Sequence, residues 1–131
     1  LVHGMSRPIG ALFHVPHGIS NAMLLSVCLE YAKGGATSRF ADMAKAIGAA
    51  KELDPEDKAA DSFMTEIKKI CDICQIPSLE EYGIPKDEFF AQIEKMAADA
   101  MASGSPSNTR RELVCYNITI VGIAKRKKEE L

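Results

Sequence analysis

The sequence predicts an all-α fold, a bundle of four or five helices followed by an atypical last segment. Apolar residues recur at helical spacing from residue 22 to about residue 100. Gly or Pro stands just beyond each of those runs, at Gly34, Gly48, Pro77, Gly83 and Gly104. The stretch richest in Val, Ile, Thr and Tyr is confined to 113–123, which reads as a strand.

Taken in order, Ala22, Met23, Leu25, Ser26 and Leu29 suit a helix over 20–32, with a broad face that implies deep burial. Ser38 offers an N-cap to a short helix carrying Phe40, Met43, Ala44 and Ile47. Asp54 caps the next, with Pro55 at its first position and Glu56 and Asp57 at the positive end of its dipole. That helix runs to about Cys74, with Ala60, Phe63, Met64, Ile67, Ile70, Cys71 and Cys74 as one stripe. Ser78 and Glu81 have capping-box spacing for a single turn. Pro85 opens the last long helix, which buries Phe89, Ile93, Met96, Ala97 and Ala100. Residues 103–108 form a loop by composition, and a charged tail follows the strand.

Composition narrows the function. The 131 residues carry 16 Lys and Arg against 18 Asp and Glu, a net charge of −2, too balanced for a surface dedicated to nucleic acid or anionic membrane. Hydrophobic residues make up 47%, enough for one ordinary core and too many for a disordered chain. The longest apolar runs, 22–25 and 118–124, are far below the roughly 20 residues of a membrane span, and no secretory leader is present. The expected setting is therefore cytoplasmic, where Cys28, Cys71, Cys74 and Cys115 read as reduced, buried thiols. Cys71 and Cys74 have zinc-motif spacing but no second pair, and they extend an apolar stripe, so a core role is expected. No Gly-rich phosphate loop and no Ser-His-Asp arrangement is present.

All three histidines, His3, His14 and His17, fall in the first 21 residues, among glycines and prolines. Imidazole is the commonest transition-metal ligand. His14 and His17 have chelating spacing, but Pro16 between them prevents an unbroken helical turn.

The segment Leu1-Val2-His3-Gly4-Met5-Ser6-Arg7-Pro8-Ile9-Gly10-Ala11, then Pro16-His17-Gly18-Ile19-Ser20-Asn21-Ala22 and Leu24-Leu25, resembles the metal-site segment of the iron-containing alcohol dehydrogenases. That group includes lactaldehyde reductases and 1,3-propanediol dehydrogenases. Its pattern is roughly His-Gly-Met-Ala-His-Pro-Leu-Gly, a spacer, then Pro-His-Gly-x-x-Asn-Ala-x-Leu-Leu-Pro. Arg39-Phe40-Ala41-Asp42-Met43-Ala44, Ile76-Pro77 with Leu79, and Met96-Ala97 leading to Ser103-Gly104-Ser105-Pro106 match as well, so the resemblance covers 1–112.

The resemblance implies a partial helical metal-binding domain over 1–112, with His3 and His17 as ligands of Fe²⁺ or Zn²⁺, and a divergent C-terminal segment over 113–131. In the family an Asp and three His hold the metal, which activates an alcohol oxygen as a Lewis acid while hydride passes to NAD(P) on a separate nucleotide domain. Small alcohols or aldehydes are the implied substrates. The other two ligands and the nucleotide domain precede this segment in the family, and the chain starts at Leu1 without Met, so a fragment is expected. Such a fragment should bind metal weakly and lack activity alone, with no catalytic or cofactor-binding residue of its own. Apolar helix faces left uncovered would favour self-association. Arg7 stands where the family has a second His, and a guanidinium cannot lose a proton near neutrality. That departure and the altered end suit an alternative, a non-catalytic helical interaction or structural module derived from the enzyme.

Overall fold

The computed structural model describes residues 1–112. The expected strand over 113–123, Cys115 and the charged tail lie outside the described residues. Within them are six α-helices and one 3₁₀ turn: α1 (Val2–Phe13), α2 (His17–Lys33), α3 (Thr37–Ala46), α4 (Glu56–Ile73), α5 (Lys86–Ala91), α6 (Ile93–Ala102) and the turn Pro106–Asn108. The all-α expectation is met, with more helices than the four or five expected.

The additional helices have physical causes. No helix was expected before residue 20, because Gly4, Gly10 and Pro8 lower local propensity and Pro8 removes an N–H from the helix interior. Packing overrides propensity: Met5 and Ile9 are almost fully buried, and Val2, Leu12 and Phe13 pack beside them. Gly4 is required at its place, since a Cβ there would come within 2.7 Å of Pro106 Cδ. The expected long helix from Pro85 is two, because the chain tightens at Gln92, whose N–H donates to Phe89 O at 3.2 Å. The break leaves both Phe89 and Met96 buried.

Capping departs from expectation at two places. The Asp54 carboxylate accepts from Lys51 N–H instead of capping α4, which starts at Glu56 after Pro55. Ser38 lies inside α3, whose Thr37 hydroxyl donates back to Lys33 O. The Ser78 and Glu81 box does form: Ser78 N–H donates to Glu81 Oε2 at 2.7 Å and Glu81 N–H to Ser78 Oγ at 3.2 Å, in a turn instead of a helix.

Helix α2 organises the rest. Leu24 and Cys28 face a main core shared with Met5 and Ile9 of α1, Val15, Ile84, Phe89 of α5, and Met96 and Ala100 of α6. Leu29 and Ala32, on another side of α2, meet Phe40 of α3 and Ala60 and Met64 of α4. Burial on this helix differs from the expected face: Ser20, Leu24 and Cys28 are buried, whereas Ala22, Met23, Leu25, Ser26 and Leu29 are only half-buried, because two separate cores share its surface. Between α3 and α4, Ala41, Ala44 and Ala59 are buried, and small side chains let the two helices approach closely. Phe40 and Phe63 meet edge to face at 5.6 Å. Across α2 and α4, Lys33 bridges Glu30 and Asp61 at 2.6 and 2.5 Å, and the Asp61 bond, then the Glu30 bond, raises the Lys33 pKa above its ordinary value.

Two expectations fail at the far end of α4. Ile70 is 54% exposed and Ile73 81% exposed, and the stripe reaches Cys71 only half-buried and Cys74 exposed. The periodicity is real, but α2 covers only the nearer part of α4, so Cys71 and Cys74 are not core thiols. Among the described residues no helix is long and apolar enough to cross a membrane.

Met5→Ala should lower unfolding free energy by about 2–5 kcal/mol, as expected for truncating a buried Met. Leu53→Ala, at a side chain 98% exposed, should change it by less than about 0.5 kcal/mol. Urea denaturation followed by far-UV circular dichroism checks both values.

Candidate metal centre

His3 sits in the first turn of α1 and His17 opens α2. Their approach needs the chain to run back along α1, and local chemistry arranges it. His14 takes the left-handed conformation at φ 55° and ends α1. The chain then passes over Gly10, where a Cβ would stand 3.1 Å from Val15 O. Pro16, with extended ψ of 138°, starts α2. Buried Val15 anchors this return in the main core.

The outcome is a contact between imidazoles fourteen residues apart: His3 Nδ1 lies 3.1 Å from His17 Nε2. The rings stack with centroids 5.2 Å apart and planes 29° from parallel, and both residues are exposed. His14 is exposed at the α1 cap, on the far side of the return from His3. Of the three histidines, the structure thus brings together His3 and His17, the two that the resemblance named.

Two neutral imidazole nitrogens suit Fe²⁺ or Zn²⁺ chemically. The pair fits a divalent metal as half of a site. Among the described residues no group of three or more His, Cys, Asp or Glu could hold a metal. Arg7, one turn after His3, is exposed.

Two polar residues beside the pair were not singled out from sequence. Asn21 Nδ2 lies 3.0 Å from His17 Nε2, and the Ser6 hydroxyl donates to Asn21 Oδ1 at 2.7 Å. Spacing held the signal: Asn21 follows His17 by four and Ser6 follows His3 by three, so each shares a helix face with its histidine.

The class of protein defined by these observations is an all-helical domain with two imidazoles in contact at adjoining helix starts. Residues 1–119 match the Fe-containing alcohol dehydrogenase family, C-terminal, and the chain belongs to that family. It is 31% identical over 114 residues to the NADPH-dependent butanol dehydrogenase of Clostridium saccharobutylicum, covering 86% of this chain and 29% of that protein. It is 29% identical over 115 residues to the lactaldehyde reductase of Escherichia coli K12, covering 86% of this chain and 30% of that protein. The crystal structure of a 1,3-propanediol oxidoreductase superposes with a TM-score of 0.82 at 25% identity, over 95% of this chain and 31% of that one. An alcohol dehydrogenase from Oenococcus oeni gives 0.80 at 26% identity, over the same shares. The chain thus spans less than a third of the length of these relatives.

The described thiols lie away from the histidine pair. Cys28 is 1% exposed in the main core, and burial pushes its pKa up to about 11 from 9.0. Burial first, then Asp72 and Cys74, also raises the Cys71 pKa. Raised values disfavour the reactive thiolate.

The Cys28 shift sets a pH window. The unfolded thiol loses its proton before the folded one, so this contribution to stability is complete below about pH 9 and is lost as pH rises through about 11. Between those values wild-type protein should lose stability more steeply than Cys28→Ala. Urea midpoints measured across that range check the difference in slope.

Proposed function

We propose that this chain supplies two metal ligands, His3 and His17, to an NAD(P)-linked alcohol dehydrogenase or aldehyde reductase dependent on iron or zinc, acting on small alcohols or aldehydes in the cytoplasm. The observation that carries the reading is the 3.1 Å approach of His3 Nδ1 to His17 Nε2. Family membership and the printed activities of the relatives support the substrate class and the nicotinamide.

When bound, the metal would supply Lewis-acid activation of the alcohol oxygen. This chain's residues would do the holding. His17 is fixed at the start of α2 by the Pro16 entry, and His3 is fixed in α1 by the buried Met5 and Ile9 beside it. Their exposure leaves the pair open to the further ligands and the nicotinamide site that the reaction needs. Two ligands without those partners chelate weakly, so the 131 residues alone should bind metal weakly and turn over no substrate.

Isothermal titration of the chain with Zn²⁺ or Co²⁺ tests the ligand assignment. His3→Ala or His17→Ala should each weaken binding by about tenfold or more. Equal affinity in wild type and both variants would refute it. An NAD(P)-linked alcohol assay on a protein that contains this chain together with a nucleotide-binding domain tests the activity.

A non-catalytic interaction module is the second reading. Exposed Arg7 at the family's second His position and the uncovered Leu53, Ile70 and Ile73 favour it. Those apolar side chains also support self-association of this chain. Sedimentation velocity should show the average mass rising with concentration, and Ile70→Lys with Ile73→Lys should suppress the rise. A monomer at all concentrations would overturn the self-association.

A further inference from the structure

Ser6 is fully buried, yet its hydroxyl faces two acceptors: Asn21 Oδ1 at 2.7 Å and the His3 carbonyl at 3.2 Å. One hydroxyl proton serves one of them at a time. The other end of the Asn21 amide lies 3.0 Å from His17 Nε2, the atom that meets His3 Nδ1. These contacts close a ring: His3 imidazole, His17 imidazole, Asn21 amide, Ser6 hydroxyl and back to the His3 carbonyl.

The ring can be read in two senses. In one, Ser6 donates to Asn21 Oδ1 and the Asn21 N–H donates to His17 Nε2, which covers the lone pair a cation would take. In the other, the amide is turned over: Nδ2 donates to Ser6 Oγ, Ser6 donates to the His3 carbonyl, and Oδ1 faces the imidazoles. The turn exchanges two atoms of nearly equal size and keeps the buried hydroxyl partnered, while Oδ1 then gains a partner when His17 Nε2 carries its proton or when a cation lies between them. It changes what His17 Nε2 meets, from a donor that competes with a cation to an oxygen that attracts one.

We propose that Asn21 is a residue of the cation site, its amide turned on the Ser6 hydroxyl between an N–H that guards His17 and an oxygen that faces a divalent cation. Ser6 is a positioning residue, because only a group that both donates and accepts satisfies the amide in both senses. In this sequence position 6 is Ser, which supplies that hydroxyl. The inference rests on His3 and His17 being ligands, and the test separates the two.

The full 131-residue chain is titrated with Zn²⁺ alone, with calorimetry for affinity and NMR for the Asn21 side-chain amide resonances. In wild type those resonances should move with the His3 and His17 signals. Asn21→Leu should weaken binding about tenfold, and Asn21→Asp, which keeps the oxygen and adds charge, should tighten it about tenfold. Ser6→Ala should weaken binding, and Ser6→Thr should restore it. Wild-type binding unchanged by Asn21→Leu, with the Asn21 amide signals unmoved, would overturn this inference alone. Binding indifferent to His3→Ala and His17→Ala would overturn the histidine assignment and this inference together. If Asn21→Leu fails to fold, the wild-type amide signals and the Asn21→Asp affinity decide.

Discussion

The candidate site depends on the return of the chain against its own first helix. Twelve helical residues extend about 18 Å, so a histidine in the first turn of α1 and one beyond its end would ordinarily lie far apart. The left-handed His14, the bare Cα of Gly10 beneath Val15 O and the buried Val15 side chain direct the chain back instead. Met5 and Ile9 against Leu24 and Cys28 then hold α1 on α2, and hydrophobic burial thereby fixes a polar geometry at the helix edges. The same core receives Met96 and Ala100 of α6, and Pro106 lies close against Gly4 in the turn that carries His3.

That division of labour explains why the pair is exposed while its supports are not. In the proposed site the imidazoles would need their lone pairs open to a shared ion and to further ligands, whereas rigidity has to come from groups that solvent does not reach. Here rigidity comes from buried Met5, Ser6 and Ile9 on one helix and Ser20 and Leu24 on the other. The α3 and α4 pair meets another side of α2 and steadies that helix through Leu29 and Ala32.

The fold class and the spans of α2, α3 and α4 were legible because their runs of helix formers end near Gly or Pro. The buried faces were less so: Leu24 and Cys28 are buried on α2 where Met23, Leu25 and Leu29 are half-buried, and Met43 and Ile47 of the expected α3 stripe are exposed. Helix α1 was not legible: Gly4, Pro8 and Gly10 speak against a helix locally, and only the tertiary fit of Met5, Ile9 and the Gly4–Pro106 contact reveals why they are tolerated. Cys71 and Cys74 misled for the opposite reason, since periodicity reports which face of a helix is apolar but not how far along its length a neighbour extends. His3 and His17 came from the motif, not from periodicity, because a residue fourteen positions away has no pattern-based neighbour in a chain that reverses between them.

Ser6 and Arg7 mark where this sequence departs from its family beside the pair. Replacing a His by Arg puts a permanent charge on the exposed side of α1, while replacing an Ala by Ser puts a hydroxyl on its buried side. A buried hydroxyl without a partner is destabilising, so Ser6 is tolerable only because Asn21 and the His3 carbonyl both lie within reach. Ser6 of α1 therefore ties to Asn21 of α2 beside the first turn of each helix, where His3 and His17 stand. Arg7 lies on the open face of α1, and the Ser6–Asn21 hydrogen bond behind it reaches His17 through the Asn21 amide. The exposed imidazole pair is thereby joined to a buried polar group in the interior of the fold.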